Sequence, residues 1–458
     1  MIPLDGQPIL TAAAMRAAEA AACRAGATVE SLMARAGGAI AEAVRRLSVG
    51  NPVLILCGPG NNGGDGYVAA QVLREAGVAV RVAASAEPTT DAATTARVAW
   101  AGDVETIAEA EPAPILVDAL FGTGLSRALD AALMSDLRRL SEAARLAIAV
   151  DLPSGLATDD GRALSEPPVF DLTLALGAAK PSHLLQPAAR YCGTVRVLDI
   201  GVPVTSDARA IARPGLPVPG PDAHKYSRGM VAVVAGAMAG ASEMAAHAAM
   251  RAGAGYVTLL GETSGPPHAL VRRAYDGDAV ANPKIGALVI GPGLGRGARA
   301  EDRLAVALSS SRPLVLDGDA FHLVTPEQLR GLAVPVVLTP HAGEFDTLFG
   351  KAGSDKIARA RDGARASGAV VVFKGADTVI AAPDGRVRVA GDASDWLSTA
   401  GTGDVLAGTI GAMLAAGLDP LDAAEAGVWL HGAAARRLPP AFIADDLVEA
   451  IGRARASL

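Results

Sequence analysis

Short apolar runs alternate with helix-patterned stretches along almost the whole chain. Runs of that kind read as strands buried on both faces, which a parallel sheet covered by helices on each side supplies. In the first half strands are predicted at Val53 to Cys57, Val78 to Ala83, Ile115 to Asp118, Leu146 to Asp151, Leu172 to Leu176 and Val195 to Leu198. One long helix, or two, precedes them from Thr11 to Leu47. In the second half the runs fall at Met230 to Val234, Tyr256 to Leu260, Ala287 to Ile290, Leu314 to Leu316, Val336 to Leu338, Val370 to Phe373, Thr378 to Ala381 and Val387 to Val389. Helices are predicted at Ser242 to Arg251, Ala298 to Leu308, Ser354 to Ser367, Asp404 to Ala416 and Pro420 to Arg437. The fold class is therefore α/β. At 458 residues the chain exceeds one ordinary core, and two domains of about 200 to 250 residues are expected. The stretch 211–221 holds Pro214, Pro217, Pro219 and Pro221, too many for a helix or central strand. It reads as a linker between domains 1–210 and 222–458.

Composition narrows the partners. A net charge of -7 without a basic run argues against nucleic acid, and 3% aromatic residues give little for bases to stack on. Cys23, Cys57 and Cys192 are too dispersed for a disulfide framework or metal cluster, which fits a reducing cytoplasm. No basic head with an apolar core opens the chain. The longest uncharged stretches, Gly229 to Ser242 and Val405 to Leu418, fall short of the roughly 18 residues of a membrane span. The alanine-rich helices suit a homo-oligomer interface and an internal core equally well.

Chemistry concentrates where glycine-rich segments follow the strands. Thr399 to Gly408 leads small residues into a helical pattern with Asp404 in its first turn. Gly401 and Gly403 let backbone approach an anion, amides at a helix start point toward negative charge, and Asp404 stands where a hydroxyl could be deprotonated. An acidic first-turn residue also favours helix starts for dipole reasons alone.

In the first half four segments lie at strand ends, where open α/β sheets bind ligands. Gly60 to Gly66 reads as a flexible loop able to cradle phosphate, with oxygens from Asn61, Asn62 and Asp65. Asp118 precedes Phe121 to Arg127, a second glycine turn with a cation beside it; Asp151 opens Asp151-Leu152-Pro153-Ser154-Gly155; Lys180 follows the run ending near Leu176. One carboxylate with neutral oxygens, from Asn62, Asp118 and Ser154, suits a monovalent cation better than Mg²⁺ or Zn²⁺. Asp151 would then act as acid or base.

The series Asn61-Asn62-Gly63-Gly64-Asp65-Gly66, Asp118 to Leu125, Asp151 to Gly155, Tyr191-Cys192-Gly193 and Asp199-Ile200-Gly201 resembles the NAD(P)H-hydrate epimerase domain. The resemblance implies a Rossmann-like three-layer fold and interconversion of the R and S epimers of hydrated NAD(P)H. It implies K⁺ at Asn62, Asp118 and Ser154. Substrate contacts are implied at Asn61, Asn62, Gly63, Gly64 and Asp65, at Gly122, Thr123, Gly124, Leu125, Ser126, Arg127 and Ala128, and at Asp151.

In the second half His224 to Gly229, Gly291-Pro292-Gly293-Leu294-Gly295, Asp317-Gly318-Asp319, Thr339 to Phe345 and Lys374 to Thr378 flank the predicted strands. With Gly401 to Asp404 they resemble the ADP-dependent (in some members ATP-dependent) NAD(P)H-hydrate dehydratase domain of the ribokinase-like superfamily, another three-layer fold. The resemblance implies nucleotide contacts at Lys374, Gly375, Ala376, Asp377, Thr378 and Gly403, and hydrate contacts at Gly293, His341 and Asp404. The implied reaction phosphorylates the hydroxyl that hydration added, then eliminates phosphate to restore NAD(P)H, leaving AMP when ADP is the donor. Asp404 is the implied catalytic base, and Mg²⁺ or Lys374 is expected to offset the polyphosphate charge. Asp317 and Asp319 read equally well as water-mediated metal placers and as turn formers. His341 has a turn-capping alternative to its ligand role. Ala235-Gly236-Ala237, and Asp392 to Ser398 ahead of the Gly-Thr-Gly-Asp turn, depart from the family pattern. The combined expectation is a bifunctional repair enzyme, isomerase and lyase. The alternative is a small-molecule kinase with an accessory nucleotide-binding domain.

Overall fold

The first sheet changes strand order between its third and fourth positions, running β3-β2-β1-β4-β5-β6-β7 with every pairing parallel. Its strands are β1 (Val53–Cys57), β2 (Val80–Ala84), β3 (Val104–Thr106), β4 (Ile115–Ala119), β5 (Leu146–Val150), β6 (Leu172–Leu176) and β7 (Thr194–Leu198); a short β8 (Ala208–Ala210) follows. The helices are α1 (Ala12–Arg24), α2 (Val29–Ser48), α3 (Asn61–Glu75), α4 (Asp91–Ala99) and α5 (Ala131–Ala143). The computed structural model describes every residue except Ala352, Ser354 and Asp392. It divides into two compact units, Met1–Ala210 and Ile211–Leu458.

Strand residues alternate between two cores. Ile55, Cys57, Val117, Ile148 and Val150 face one side, while Leu54, Leu56, Leu116, Ala147 and Ala149 face the other. Both faces being dry explains why these strands appear in sequence as unbroken apolar runs. The region from Thr11 to Leu47 resolves into two helices. Thr11 caps α1 through its side chain, and Thr28 forms a capping box with Ser31 at the start of α2.

The described strands of the second unit run β11-β10-β9-β12-β13-β14-β15-β16-β17. They are β9 (Met230–Val234), β10 (Tyr256–Leu260), β11 (Val271–Arg273), β12 (Ala287–Ile290), β13 (Leu314–Leu316), β14 (Val336–Leu338), β15 (Val370–Phe373), β16 (Thr378–Ala381) and β17 (Val387–Ala390). The ladders are parallel as far as β15, and the last two are antiparallel. The helices are α6 (Ala239–Arg251), α7 (Gly277–Val280), α8 (Ala298–Ser309), α9 (Pro326–Arg330), α10 (Ala342–Phe349), α11 (Lys356–Ser367), α12 (Thr402–Ala415), α13 (Pro420–Ala435) and α14 (Ala444–Ala456). Val231, Val233, Val289 and Val315 pack in one cluster with residues of α6, α12 and α13. Residues 211–220 carry no helix or strand. Ser354, the expected start of α11, and Asp392 in the approach to α12 lie outside the described residues. No described helix is long and apolar enough to cross a membrane.

The expectations for strands hold closely, with one correction that matters chemically. β5 stops at Val150, and Asp151 turns out of the sheet with φ of 65°. Strands β3, β8 and β11, and helices α3, α4, α5, α7, α9, α10 and α14, went unassigned in sequence.

Candidate active sites

In the first unit the loops after β1 and β4 part where the strand order reverses, opening the crevice that such sheets use for ligands. A cavity of about 760 Å³ lies there, lined by Asn61, Asn62, Asp65, Gly122 to Leu125, Asp151 and Lys180. The supposed loop Gly60 to Gly66 is a correction: Asn61 already begins α3. Glycine here serves close packing rather than flexibility. A Cβ on Gly63 would lie 1.9 Å from the Gly58 carbonyl oxygen. The anion-facing groups are thus the first-turn amides of α3, which no side chain caps. Asn61 Oδ1 accepts from the Thr90 hydroxyl at 2.6 Å.

Asp151 is held from three directions. Lys180, 1% exposed, pairs with its Oδ1; the Thr123 amide donates to Oδ2 at 3.1 Å, and the Leu176 amide to Oδ1 at 3.3 Å. His183 Nδ1 accepts from the Lys180 amide at 2.9 Å, which leaves Nε2 to donate to the Asp151 carbonyl at 2.6 Å. Burial alone would raise the Asp151 carboxyl, but the Lys180 charge outweighs it and holds the group below the usual range. Burial likewise pulls His183 down to about 4, so its ring is neutral. Asp65 faces the same cavity with no cation of its own, and burial with the nearby Asp151 charge pushes it well above the ordinary value.

Asp118 and Ser154 meet directly and both are fully buried. Ser154 donates its hydroxyl to Asp118 Oδ1 at 2.7 Å and its amide to Oδ2 at 2.9 Å. Burial raises Asp118 to about 6, with only hydrogen-bond donors opposing. Asn62 reaches the neighbouring wall, its Nδ2 donating to the Val150 carbonyl at 3.4 Å. Asp118 and Ser154 thus bring a carboxylate and a hydroxyl together, with the Phe121 carbonyl 3.4 Å from the hydroxyl, oxygen donors of the kind that hard and weakly hydrated cations take. Gly122 and Thr123 sit against Asp151; Gly124 to Ala128 continue the turn outward.

In the second unit the centre is an acidic group around Lys374. Its Nζ lies 2.8 Å from Asp317 Oδ1 and 3.9 Å from Glu344 Oε2. Thr339 donates to Asp317 Oδ1 at 2.7 Å. Gly401, the αL N-cap with φ of 91°, starts α12 and puts Asp404 in its first turn. A side chain on Gly403 would come within 3.2 Å of Lys374 Nζ. Burial, then the Asp317 charge, raise Asp404 to about 7 despite Lys374. Burial pulls the Lys374 ammonium down, but Asp317 and Glu344 more than restore it. The structure thus gathers Asp404, Gly403, Lys374, Asp317 and Glu344. Gly293, with φ of 59°, lies on the loop after β12 and its carbonyl accepts from Met238 at 2.9 Å; the same loop meets Asp317 through Gly291.

Two expected contacts have other duties. His341 Nδ1 caps α10 through the Gly343 and Glu344 amides at 3.0 and 3.3 Å, leaving the Nε2 edge outward beside Glu344. The turn-capping alternative therefore describes its Nδ1. Asp377 pairs with Lys356, whose Nζ also donates to the Asp377 carbonyl at 2.7 Å. Gly375 and Ala376 are exposed, so the backbone of the Lys374 to Thr378 turn is open to a ligand. Asp319 binds the Gly295 amide and Arg296, both at 2.9 Å. Lys356 escaped sequence reading because a lysine at a helix start carries no signal of the strand turn that it braces. Among the described residues no cluster of histidine, cysteine and carboxylates could hold a metal ion.

Sites at the carboxyl ends of two parallel sheets, each pairing helix-start amides with a perturbed carboxyl, define a two-domain α/β enzyme acting on phosphorylated ligands. The family described as NAD(P)H-hydrate dehydratase matches residues 231–454, and the family described as YjeF-related protein N-terminus matches residues 29–182. A bifunctional NAD(P)H-hydrate repair enzyme of Salinibacter ruber is 35% identical over 98% of this chain and 96% of its own. One from Escherichia coli K12 is 32% identical, covering 93% and 90%. Among solved structures, an ADP/ATP-dependent NAD(P)H-hydrate dehydratase from Bacillus subtilis, co-crystallised with ATP/Mg²⁺, is 29% identical over 53% of this chain and 94% of that one, with a TM-score of 0.47. The chain belongs to the bifunctional NAD(P)H-hydrate repair enzymes, an epimerase followed by a dehydratase.

Proposed function

We infer a division of labour in which residues 1–210 interconvert the R and S hydrates, residues 222–458 dehydrate the S epimer, and 211–221 join them. The observation that carries this reading is the presence in one chain of two unlike acid–base centres, Asp151 beside Lys180 and Asp404 beside Lys374.

In the first unit the α3 amides and the Gly122 to Ala128 turn hold the dinucleotide phosphates, with Asn61 to Asp65 and Asp151 around the hydrated ring. Asn62, Asp118 and Ser154 would hold K⁺, whose charge would offset that of the buried Asp118 carboxylate. In the second unit the Lys374 to Thr378 turn and Gly403 hold ADP or ATP, while Gly293, His341 and Asp404 receive the hydrate. Mg²⁺ arriving with the nucleotide offsets polyphosphate charge that the carboxyls would otherwise repel. Asp404 takes the proton from the ring hydroxyl as it attacks the terminal phosphoryl group. The α12 amides and Lys374 stabilise the transferring charge. Hydroxide leaves poorly, but the phosphate ester leaves readily and the double bond reforms. With ADP as donor the products are NAD(P)H, AMP and phosphate.

The test is to incubate the chain with mixed NADHX epimers, Mg²⁺, K⁺ and either ADP or ATP while following absorbance of the reduced nicotinamide. Complete recovery supports both assignments. Recovery of the S fraction alone removes the first, and a stable phosphorylated product without recovery replaces the second with the kinase alternative.

A further inference from the structure

One wall of the first unit's cavity plays no part in the reading above. Met15, Arg16, Glu19, Ala20 and Cys23 line it from α1, at spacings that place them on one helix face. Glu19 is the sole carboxylate of this group, and it lies outside the stretch matched by the family. Arg16 stands beside it on α1, and Asp65, Asp151 and Lys180 are the charged or titratable groups that line the cavity from other elements. Lys180 is committed to Asp151, so the cavity presents one ion-paired carboxylate and two further carboxyls, Asp65 on α3 and Glu19 on α1, of which Glu19 is the less deeply buried.

Resting on the epimerase reading, we propose that Glu19 is the second acid–base group of epimerisation, serving the face of the hydrated ring opposite to Asp151. Hydration of a dihydropyridine enamine attaches the hydroxyl to the carbon bonded to ring nitrogen, so the epimers differ at a hemiaminal carbon. Inversion there requires the C–O bond to break on one face and reform on the other. In one direction the Glu19 carboxylic acid protonates the hydroxyl, the nitrogen lone pair expels it as water, and an iminium remains. Water on the opposite face then adds its oxygen lone pair to that carbon and gives its proton to the Asp151 carboxylate. No atom or electron is gained or lost; one proton has passed from Glu19 to Asp151 and returns through solvent. The reverse direction exchanges the two roles.

The environments suit the assignment. Burial would raise Asp151, but Lys180 holds it ionised. Burial and the Asp151 charge raise Glu19 above the usual glutamate range, against Lys180 and Arg16. Two carboxyls pushed apart in this way supply an acid and a base at one pH. Asp65, 8% exposed, is buried more deeply than Glu19, and burial with the Asp151 charge raises its carboxyl as well.

The experiment uses the full chain, K⁺ and the isolated R hydrate without nucleotide, with the epimers separated chromatographically. Glu19→Gln is expected to lower kcat about 10²- to 10⁴-fold, with KM changed by no more than a few-fold. The fall of kcat at high pH, which reports loss of the Glu19 proton, is expected to vanish in that variant. Glu19→Asp is expected to restore part of the rate together with that limb. Glu19→Gln matching wild type in rate and pH profile, while Asp151→Asn is inactive, overturns the proposal and leaves the epimerase reading standing. A wild-type chain that leaves the epimers unchanged removes the reading itself. Should Glu19→Gln not fold, the Glu19→Asp profile decides: a high-pH limb unmoved by the shorter side chain overturns the proposal.

Discussion

Lys374 Nζ stands 2.8 Å from Asp317 Oδ1, and that pairing leaves Asp404 only the weaker pull of the same cation. Burial and the Asp317 charge then bring Asp404 to about 7. A carboxylate that works as a base must be ionised, so the dehydratase rate should rise with pH through about 7. Asp317→Asn removes the like charge and frees Lys374, and should move that midpoint to lower pH. Initial rates against pH for both chains check this, and an unmoved midpoint separates the titration from Asp404.

Asp404→Asn should leave nucleotide affinity within a few-fold and lower the dehydration rate by about 10²- to 10⁴-fold. Calorimetric binding of ADP and the rate of NADH recovery measure the two quantities independently. Unchanged turnover removes Asp404 from the role of base.

Asp118 lies buried with only hydrogen-bond donors around it. Exchanging K⁺ for tetramethylammonium, which is too large for such a site, should slow epimerisation about 10- to 100-fold. Asp118→Asn should abolish the difference between the two salts, while the dehydratase rate ignores the Asp118 substitution. Equal epimerase rates in both salts would count against a cation there.

Lys356 binds Asp377 and the backbone of the turn between β15 and β16. Lys356→Met removes one partner of the buried Asp377 carboxylate and should cost about 1 to 3 kcal/mol of stability. KM for ADP should rise as the turn loosens, while the pH midpoint near 7 stays in place. Urea unfolding and nucleotide titration check the two effects.

A methyl group on Gly63 would lie 1.9 Å from backbone at Gly58, where no side chain can move aside. Gly63→Ala should destabilise the first unit by about 3 kcal/mol and remove epimerase activity while dehydration of the S hydrate persists. Separate assays of the two reactions, with unfolding followed in denaturant, test whether the damage stays in one unit.

Much of the fold was legible because both faces of the parallel sheets are dry. Val53–Cys57 and Leu314–Leu316 advertise themselves as apolar runs. The three-residue edge strands Val104–Thr106 and Val271–Arg273 contain charge and lack that signature. Helix α3 was hidden for the opposite reason: Asn61 to Gly66 has the composition of a turn, and only the sheet beneath it makes those glycines a packing surface. Asp404 was readable because its whole context lies within a few residues. The pairing of Lys374 with Asp317 spans 57 positions, and that of Lys180 with Asp151 spans 29, so neither has a local trace. Glu19 looks in sequence like any solvated charge on an alanine-rich helix.

The left-handed backbone of Asp151 sets a limit on how this chain can improve. A non-glycine residue at φ of 65° carries a conformational cost of about 1 kcal/mol, which here aims a carboxyl at the cavity. Glycine would adopt the same turn without that cost. It would also leave the buried Lys180 ammonium without its carboxylate, a loss of about 3 to 5 kcal/mol, so the ion pair more than offsets the strained turn and keeps an acid at this position.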